Sequence, residues 1–415
     1  MHCSADTWLR GPFGLDARKG STVPVRRTVL AVAHHITAAT RLADIVPMLE
    51  SDRRLVVAYT APPASAFTGG LDELLRGLGG LVLPWAQAVH SRFDLAIAAS
   101  HGALDQLHAP VLTVPHGAGP GKLLHRGGGL GPPAARPVTG LIRERMVVAG
   151  RVVPSAIALP HERHLRGLER ECPEALPVAF VGGDPCLDRL AASLPHRDAY
   201  RRALGVRDGQ RLVFVSSTWD EDSLLGRRPD VLSRIAAALP SGRYRIVAAL
   251  HPHIWSWYGR RQVLAWQTDA MRQGVRLLPP EEGWRAALVA SDRVVGDHGS
   301  VTYYAAAVGV PVLLGTFPRD SVAPGSHPCG LAAVAPHVSW RRPLAPQLDD
   351  ADRAYDAEAH ATLRDAISSR PGEAAGLLRR EMYRLLRLPE PEAPPDVAPV
   401  PLPRPIRYNG GIRAA

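Results

Sequence analysis

Short apolar runs, each followed by a polar turn and a helical stretch, recur through both halves of this 415-residue chain. In the first half they are Arg27–Ala33, Arg54–Tyr59, Gly80–Leu83, Asp94–Ala99, Val111–Val114, Ala156–Leu159 and Val178–Val181. In the second they are Arg211–Ser216, Tyr244–Leu250, Gly274–Leu278, Arg293–Val295 and Val310–Leu314. Runs of this length that are apolar throughout, rather than at alternate positions, are strands buried on both faces. Helices between them make the sheets parallel, because a parallel connection needs a crossover. The expectation is an α/β protein. At this length two domains are expected, with the boundary between the helices at 186–193 and 197–204.

The organisation this predicts is an irregular N-terminus over 1–24, a Rossmann-like domain over 25–195 and a second over 196–345. Amphipathic helices are expected over 346–388, with one continuous pattern from 353, and a disordered or extended proline-rich tail over 389–415. Residues 126–140 are rich in Gly and Pro and are expected to be a flexible loop. No run of about 18 apolar residues exists, and Met1–Asp6 shows no charged segment leading into an apolar one. Four cysteines without C-x-x-C spacing fit a reducing compartment, so a cytoplasmic location is expected. The net charge of +10 is carried almost wholly by arginine and favours anionic partners such as nucleotides, polyphosphates or an anionic membrane surface. Nucleic acid is not expected, since the arginines are dispersed and no RNA- or DNA-binding motif is present.

In parallel sheets, ligands gather at the carboxyl ends of strands, so the polar turns there carry the functional reading. Pro115-His116-Gly117 leads to Lys122; His116 suits a general base on a substrate hydroxyl, and the glycines let a substrate approach. His34 and His35 follow the first strand and suit acceptor binding, together with Gly117 and Lys122. Ser217 and Thr218 follow a strand and suit phosphate, or capping of the next helix. His251, before Pro252 and His253, suits donation to a phosphate oxygen. Asp297-His298-Gly299-Ser300-Val301-Thr302 forms a glycine-containing strand-to-helix turn, with Ser300 as the expected helix cap. Its amides and helix dipole suit a diphosphate. No metal is expected, because two histidines spaced H-P-H share a face poorly and lack a nearby acidic ligand. No cofactor is expected beyond the nucleotide-diphosphate donor as substrate. Neither a G-x-S-x-G elbow nor a Cys/His pairing is present, which excludes familiar acyl-transfer hydrolases.

The order of these turns resembles that of the CDP-glycerol glycerophosphotransferase group of GT-B enzymes, which is also similar to nucleotide-sugar 2-epimerases. Against that family's W-H-G-T-P-L-K-K, G-x-P-R-x-D-x-L, A-P-T-W, R-x-H-P and T-D-Y-S-S segments stand Pro115–Lys122, Gly183–Leu190, Ser216–Trp219, Ala249–Pro252 and Ser291–Ser300. The resemblance spans roughly 110–315 and departs at Cys186, where the family has arginine, and at Tyr304, where such enzymes often hold the ribose with an acid. It implies a GT-B fold of two Rossmann-like domains facing across a cleft, with acceptor on the first and donor on the second. The implied activity is transfer of a glycerophosphate or sugar group to a hydroxyl, in cell-envelope or capsule polymer synthesis. His116 and His251 would be catalytic. Ser217, Thr218 and Asp297–Thr302 would bind the donor. The alternatives are a non-catalytic nucleotide- or partner-binding protein of the same shape, and a 2-epimerase, which needs carboxylate bases that the strand ends offer sparingly.

Overall fold

A computed structural model describes residues 8–13, 22–63, 70–123 and 136–408. The chain divides into two compact units. Unit 1 comprises Met1–Pro120, Pro137–Asp188 and Ser368–Val397, and unit 2 comprises Gly121–Arg136, Arg189–Ile367 and Ala398–Ala415. Most of the 126–140 stretch, and the start of the helix expected near 69, lie outside the described residues.

Unit 1 contains β1 (Arg27–Val32), β2 (Leu55–Thr60), β3 (Leu81–Leu83), β4 (Leu95–Ala98), β5 (Val111–Thr113), β6 (Val147–Val148), β7 (Arg151–Val152), β8 (Ala156–Leu159) and β9 (Ala179–Val181). Seven of them form one sheet in the order β3-β2-β1-β4-β5-β8-β9, each neighbouring pair parallel. Val147–Val148 and Arg151–Val152 stand apart as a two-stranded antiparallel ribbon, β6 with β7. Val29, Leu30, Ala31 and Val32 are all fully buried, which is why β1 reads as continuously apolar. Helix Ala374–Leu386 closes one face by placing Leu378, Met382, Tyr383 and Leu386 in the core. These positions lie one to two turns apart on one stripe.

Unit 2 contains β10 (Arg211–Ser217), β11 (Tyr244–Leu250), β12 (Arg276–Leu277), β13 (Arg293–Gly296) and β14 (Val312–Leu314). They form a parallel sheet ordered β12-β11-β10-β13-β14. Its core takes Val213, Val215, Ile246, Ala248, Val295 and Leu313 from the strands and Leu232, Ile235 and Leu348 from helices.

Two expectations change. The amphipathic pattern over 353–388 is not continuous: helices Ala357–Ile367 and Ala374–Leu386 are separated by a segment holding Pro371-Gly372. Pro371 removes a backbone donor and Gly372 sits at φ +80°, so a helix cannot run through them. Residues 389–408 form no helix or strand, but disorder does not describe them. Tyr200 Oη donates to the Val400 carbonyl at 2.7 Å, the Val400 amide donates to Ser193 Oγ at 3.0 Å, and the Ile406 amide to the Leu277 carbonyl at 2.8 Å. Proline fixes an extended backbone at low entropic penalty, and Val400 anchors it by burial.

Candidate functional site

In each sheet one pair of adjacent strands sends its exit loops in opposite directions, because the strand order reverses there. Such switch points leave a crevice at the carboxyl ends. In unit 1 the pair is β1 and β4; in unit 2 it is β10 and β13. Most of the sequence-derived candidates lie at these two places.

At the unit 1 switch point three histidines take three different roles. His116, exposed after β5, donates from Nδ1 to the Ala99 carbonyl at 2.8 Å. A proton held on Nδ1 puts the lone pair of the neutral ring on Nε2, the arrangement of a base. His35 packs edge-on against it with centroids 4.8 Å apart. Its own Nδ1 accepts from the Ala38 amide at 3.1 Å and caps helix Ile36–Ile45. His34 is buried, donates from Nε2 to the Gly102 carbonyl at 2.9 Å, and is pushed by that burial below its usual pKa. His35 and His116 are therefore brought together, whereas His34 is turned into the fold.

The His116 loop is fixed from below. Arg41 donates to the Gly117 carbonyl at 3.1 Å and pairs with Asp184 at 3.0 Å, the two side chains being 3% and 1% exposed. Asp184 also accepts the Cys186 and Leu187 amides at 2.8 and 3.1 Å, the first of helix Pro185–Ser193. Cys186 itself is buried in that helix. A guanidinium thus reaches this turn from Arg41 and not from position 186. Gly119 is required by packing: at φ +87° a Cβ there would lie 2.8 Å from Pro160 Cγ. The next atom such a Cβ would meet is His164 Cε1 at 3.2 Å, on helix Arg163–Glu171, so Gly119 lets this loop lie close to that helix.

At the unit 2 switch point one carboxylate ties the two exit loops together. Asp297 is fully buried. Its Oδ2 accepts the Thr218 amide at 2.9 Å, the Leu224 amide at 2.8 Å and the Ser217 hydroxyl at 3.2 Å, and its Oδ1 accepts the Gly299 amide at 3.0 Å. Ser217 Oγ additionally accepts from the Leu225 amide at 2.9 Å. Asp297 and Ser217, read as donor contacts, are thus structural. Thr302 is also turned inward, its Oγ1 2.4 Å from where a Gly296 Cβ would stand, which is why Gly296 has none. Gly299, not Ser300, occupies the cap position of helix Ser300–Ala307, and the helix has no side-chain cap bond. The carboxylate two residues earlier takes the amide of the cap residue itself. Gly299 N–H is committed to Asp297 and Thr302 N–H to the Gly299 carbonyl at 3.0 Å, while Ser300 and Val301 between them are half-buried. Thr218 is buried, its amide on Asp297.

His298 is buried, with Nε2 3.1 Å from Asp220 Oδ2, and its Nδ1 has no partner among the described residues. Asp220 sits at φ +107°, a region of backbone that favours glycine. Burial works to raise its carboxyl pKa, but the His298 hydrogen bond and charge, with Lys122 beyond, hold it below the usual range. Lys122 belongs to unit 2, where its backbone bridges Val322. Burial lowers its ammonium pKa while the Asp297 and Asp220 carboxylates oppose the shift. Lys122, grouped by the sequence with His116, thus lies beside the Asp297 and Asp220 turns of unit 2. His251, after β11, caps helix Pro252–Tyr258 through Nδ1, which accepts the His253 amide at 3.1 Å. That leaves the ring proton on Nε2, a donor. His253 stacks between the exposed Trp219 and Trp257, with centroids 4.6 and 5.4 Å apart. Tyr304, where an acid would hold a ribose, is 1% exposed and packs on Trp284.

Arg41, Asp184, His101 and Asp220 were not singled out from the sequence. Among the described residues no cluster of three or more His, Cys, Asp or Glu has metal-holding geometry, and no helix is long and apolar enough to cross a membrane.

No protein-family profile and no curated protein matches the sequence. Solved structures do match in fold. The wall teichoic acid polymerase TagF, in a crystal soaked with CDPG, aligns with a TM-score of 0.59 at 13% identity over 90% of this chain and 91% of that one. The S. aureus MnaA–UDP structure aligns at 0.52 and 13% identity over 86% and 97%. UDP-GlcNAc 2-epimerase from Neisseria meningitidis, bound to UDP-GlcNAc, aligns at 0.50 and 15% identity over 87% and 99%. The likeness is one of fold: this is an α/β protein of GT-B type, built of two Rossmann-like units.

Proposed function

We propose that the chain is a transferase that moves a glycerophosphate or sugar group from a nucleotide-diphosphate donor to a hydroxyl acceptor, in the assembly of a cell-envelope or capsule polymer. The observation that carries this is His116. Its Nδ1 proton is tied to the Ala99 carbonyl, so Nε2 is presented as a base at a ligand-binding strand end. In this reading unit 1 holds the acceptor and unit 2 the donor. Nε2 of His116 takes the proton of the acceptor hydroxyl as its oxygen bonds to the donor's reacting phosphorus or anomeric carbon. The bond from that atom to the departing nucleotide breaks, and the nucleotide leaves with the electron pair. The charge that develops on it is met by His251 Nε2–H, the Lys122 ammonium and the Ser300–Val301 turn. The donors handled by TagF and the epimerases suggest CDP- and UDP-linked groups as the first to try. A basic chain of net charge +10 also suits peripheral contact with an anionic membrane.

The test is stabilisation by CDP, UDP, ADP and GDP in thermal unfolding, followed by transfer assays with the corresponding activated donors. A nucleotide at a hundredfold excess over Kd adds about 2.7 kcal/mol, a readily measured shift. No shift with any nucleotide overturns the reading. Transfer that survives His116→Ala removes His116 as base. Nucleotide binding without transfer favours the non-catalytic alternative, which the burial of Cys186 and Tyr304 also suits.

A further inference from the structure

The exit loop of β4 does more than hold His116 and His34. After offering the Ala99 carbonyl to one and the Gly102 carbonyl to the other, it lines a cavity of about 330 Å³ with His101 and Asp105. The opposite wall is Glu144, Arg145, Val148 and Val153, from the short helix and ribbon between β5 and β8. The loop is held in an unusual conformation to do so: Gly102 is at φ +115° and Ala103 at φ +56°. A non-glycine residue there costs about 1–2 kcal/mol, and such outliers persist where the surroundings impose them. The volume lies at the lower end of the roughly 300–1,000 Å³ range of ligand pockets. His101 Nδ1 is buried and meets no partner among the described residues.

The lining chooses among ligand classes. Burial holds His101 down at about 4, with the charges of His34, His116 and Arg145 acting the same way. The ring is neutral at physiological pH and its nitrogens offer one donor and one acceptor. Two carboxylates, Asp105 and Glu144, outnumber the single guanidinium of Arg145, which disfavours an anion. Val148 and Val153 supply an apolar wall. Alternating donors, acceptors and apolar surface suit a ring or chain of hydroxylated carbons, whose faces are C–H and whose edges are O–H.

We propose that this cavity binds a neutral polyhydroxylated group, one or two sugar or polyol units long, as the acceptor subsite of unit 1. The assignment as acceptor rests on the transferase reading; the binding of a neutral polyol does not. The test uses the full chain and ligand-observed saturation-transfer NMR with glycerol, methyl glucoside, N-acetylglucosamine and glycerol 3-phosphate. Two variants probe the walls. Val148→Trp fills the cavity from a residue 42% exposed, so it leaves the core intact. Arg145→Ala removes a rim donor. Melting temperature and nucleotide-induced stabilisation serve as controls for the fold and for unit 2. The expected result is saturation transfer to at least one neutral compound, reduced at least fivefold in Val148→Trp and at least threefold in Arg145→Ala. No transfer to any neutral compound, or transfer unchanged in Val148→Trp, overturns the proposal. Binding of glycerol 3-phosphate alone overturns the ligand class. Nucleotide stabilisation with no neutral ligand refutes the cavity and leaves the transferase reading; a neutral ligand with no nucleotide effect does the reverse.

Discussion

Replacing Asp297 with asparagine keeps the side-chain shape and changes only what the two terminal atoms can accept. The amide has two orientations. With its NH2 in the Oδ2 place it would face the amides of Thr218 and Leu224, both now within 2.9 Å of an oxygen. With its NH2 in the Oδ1 place it faces the Gly299 amide, now bonded at 3.0 Å, and the longer 3.2 Å branch of the Thr218 amide, which keeps its shorter bond to the Oδ2 place. The second orientation is the cheaper one. It leaves one buried donor unsatisfied, at about 1–3 kcal/mol, and turns three bonds to a charged acceptor, from the Thr218 and Leu224 amides and the Ser217 hydroxyl, into neutral ones, at about 1 kcal/mol each. The expected loss is therefore about 4–6 kcal/mol. The assay is urea unfolding followed by tryptophan fluorescence, with Trp219 adjoining Thr218 as a local reporter. Because the carboxylate joins the exits of β10 and β13, nucleotide affinity is expected to fall as well. A loss under about 1 kcal/mol with affinity unchanged would refute the role of Asp297 as the clamp of this switch point.

Arg41→Met leaves the Asp184 carboxylate buried without its guanidinium and is expected to cost about 3–5 kcal/mol in denaturant unfolding; Arg41→Met with Asp184→Asn should recover part of that loss. Burial holds His164 down at about 3, against 6.5 for a free imidazole. Between these values the unfolded chain binds a proton the native state does not, so stability falls as pH drops below 6.5. This one group contributes a slope approaching ~1.4 kcal/mol per pH unit, and His164→Gln should flatten the acid limb of a stability–pH profile. Ending the chain after Val397 removes a buried Val400 and its two hydrogen bonds. It should lower stability by about 2–4 kcal/mol, read as a fall in Tm.

The strands were legible because a strand buried on both faces leaves a run that few other structures need. Val29 to Val32 and Tyr244 to Leu250 needed nothing from elsewhere in the chain to be recognised. The candidate loops were legible as places but not as roles. Asp297 and Ser300 look equally suited to a phosphate in the sequence. Only the distances separate the one that holds its neighbours' amides from the one that remains half-exposed. Arg41 was hidden inside an amphipathic helix, and its partner Asp184 lies 143 residues away, a separation no local pattern encodes. His101 had a signal that went unused: a histidine before a glycine, two residues past a buried strand, the same setting that marked His116. Lys122 follows Gly121 closely enough to read as part of the His116 loop, yet the chain changes unit between Pro120 and Gly121.

The chain passes between its two units five times, at 120–121, 136–137, 188–189, 367–368 and 397–398. During synthesis this sets a schedule. All seven strands of the unit 1 sheet have been made by residue 181, but the helix that covers its Leu95, Ile97 and Leu112 face is not complete until residue 386. For some 200 residues of elongation, that apolar face is covered by helix Ile36–Ile45 and its neighbours but lacks this last helix. At ~5–20 residues per second this is roughly 10–40 seconds of incomplete cover. A ribosome stalled shortly before residue 374 should therefore carry a nascent chain that a chaperone recognises, and one stalled well past 386 should not.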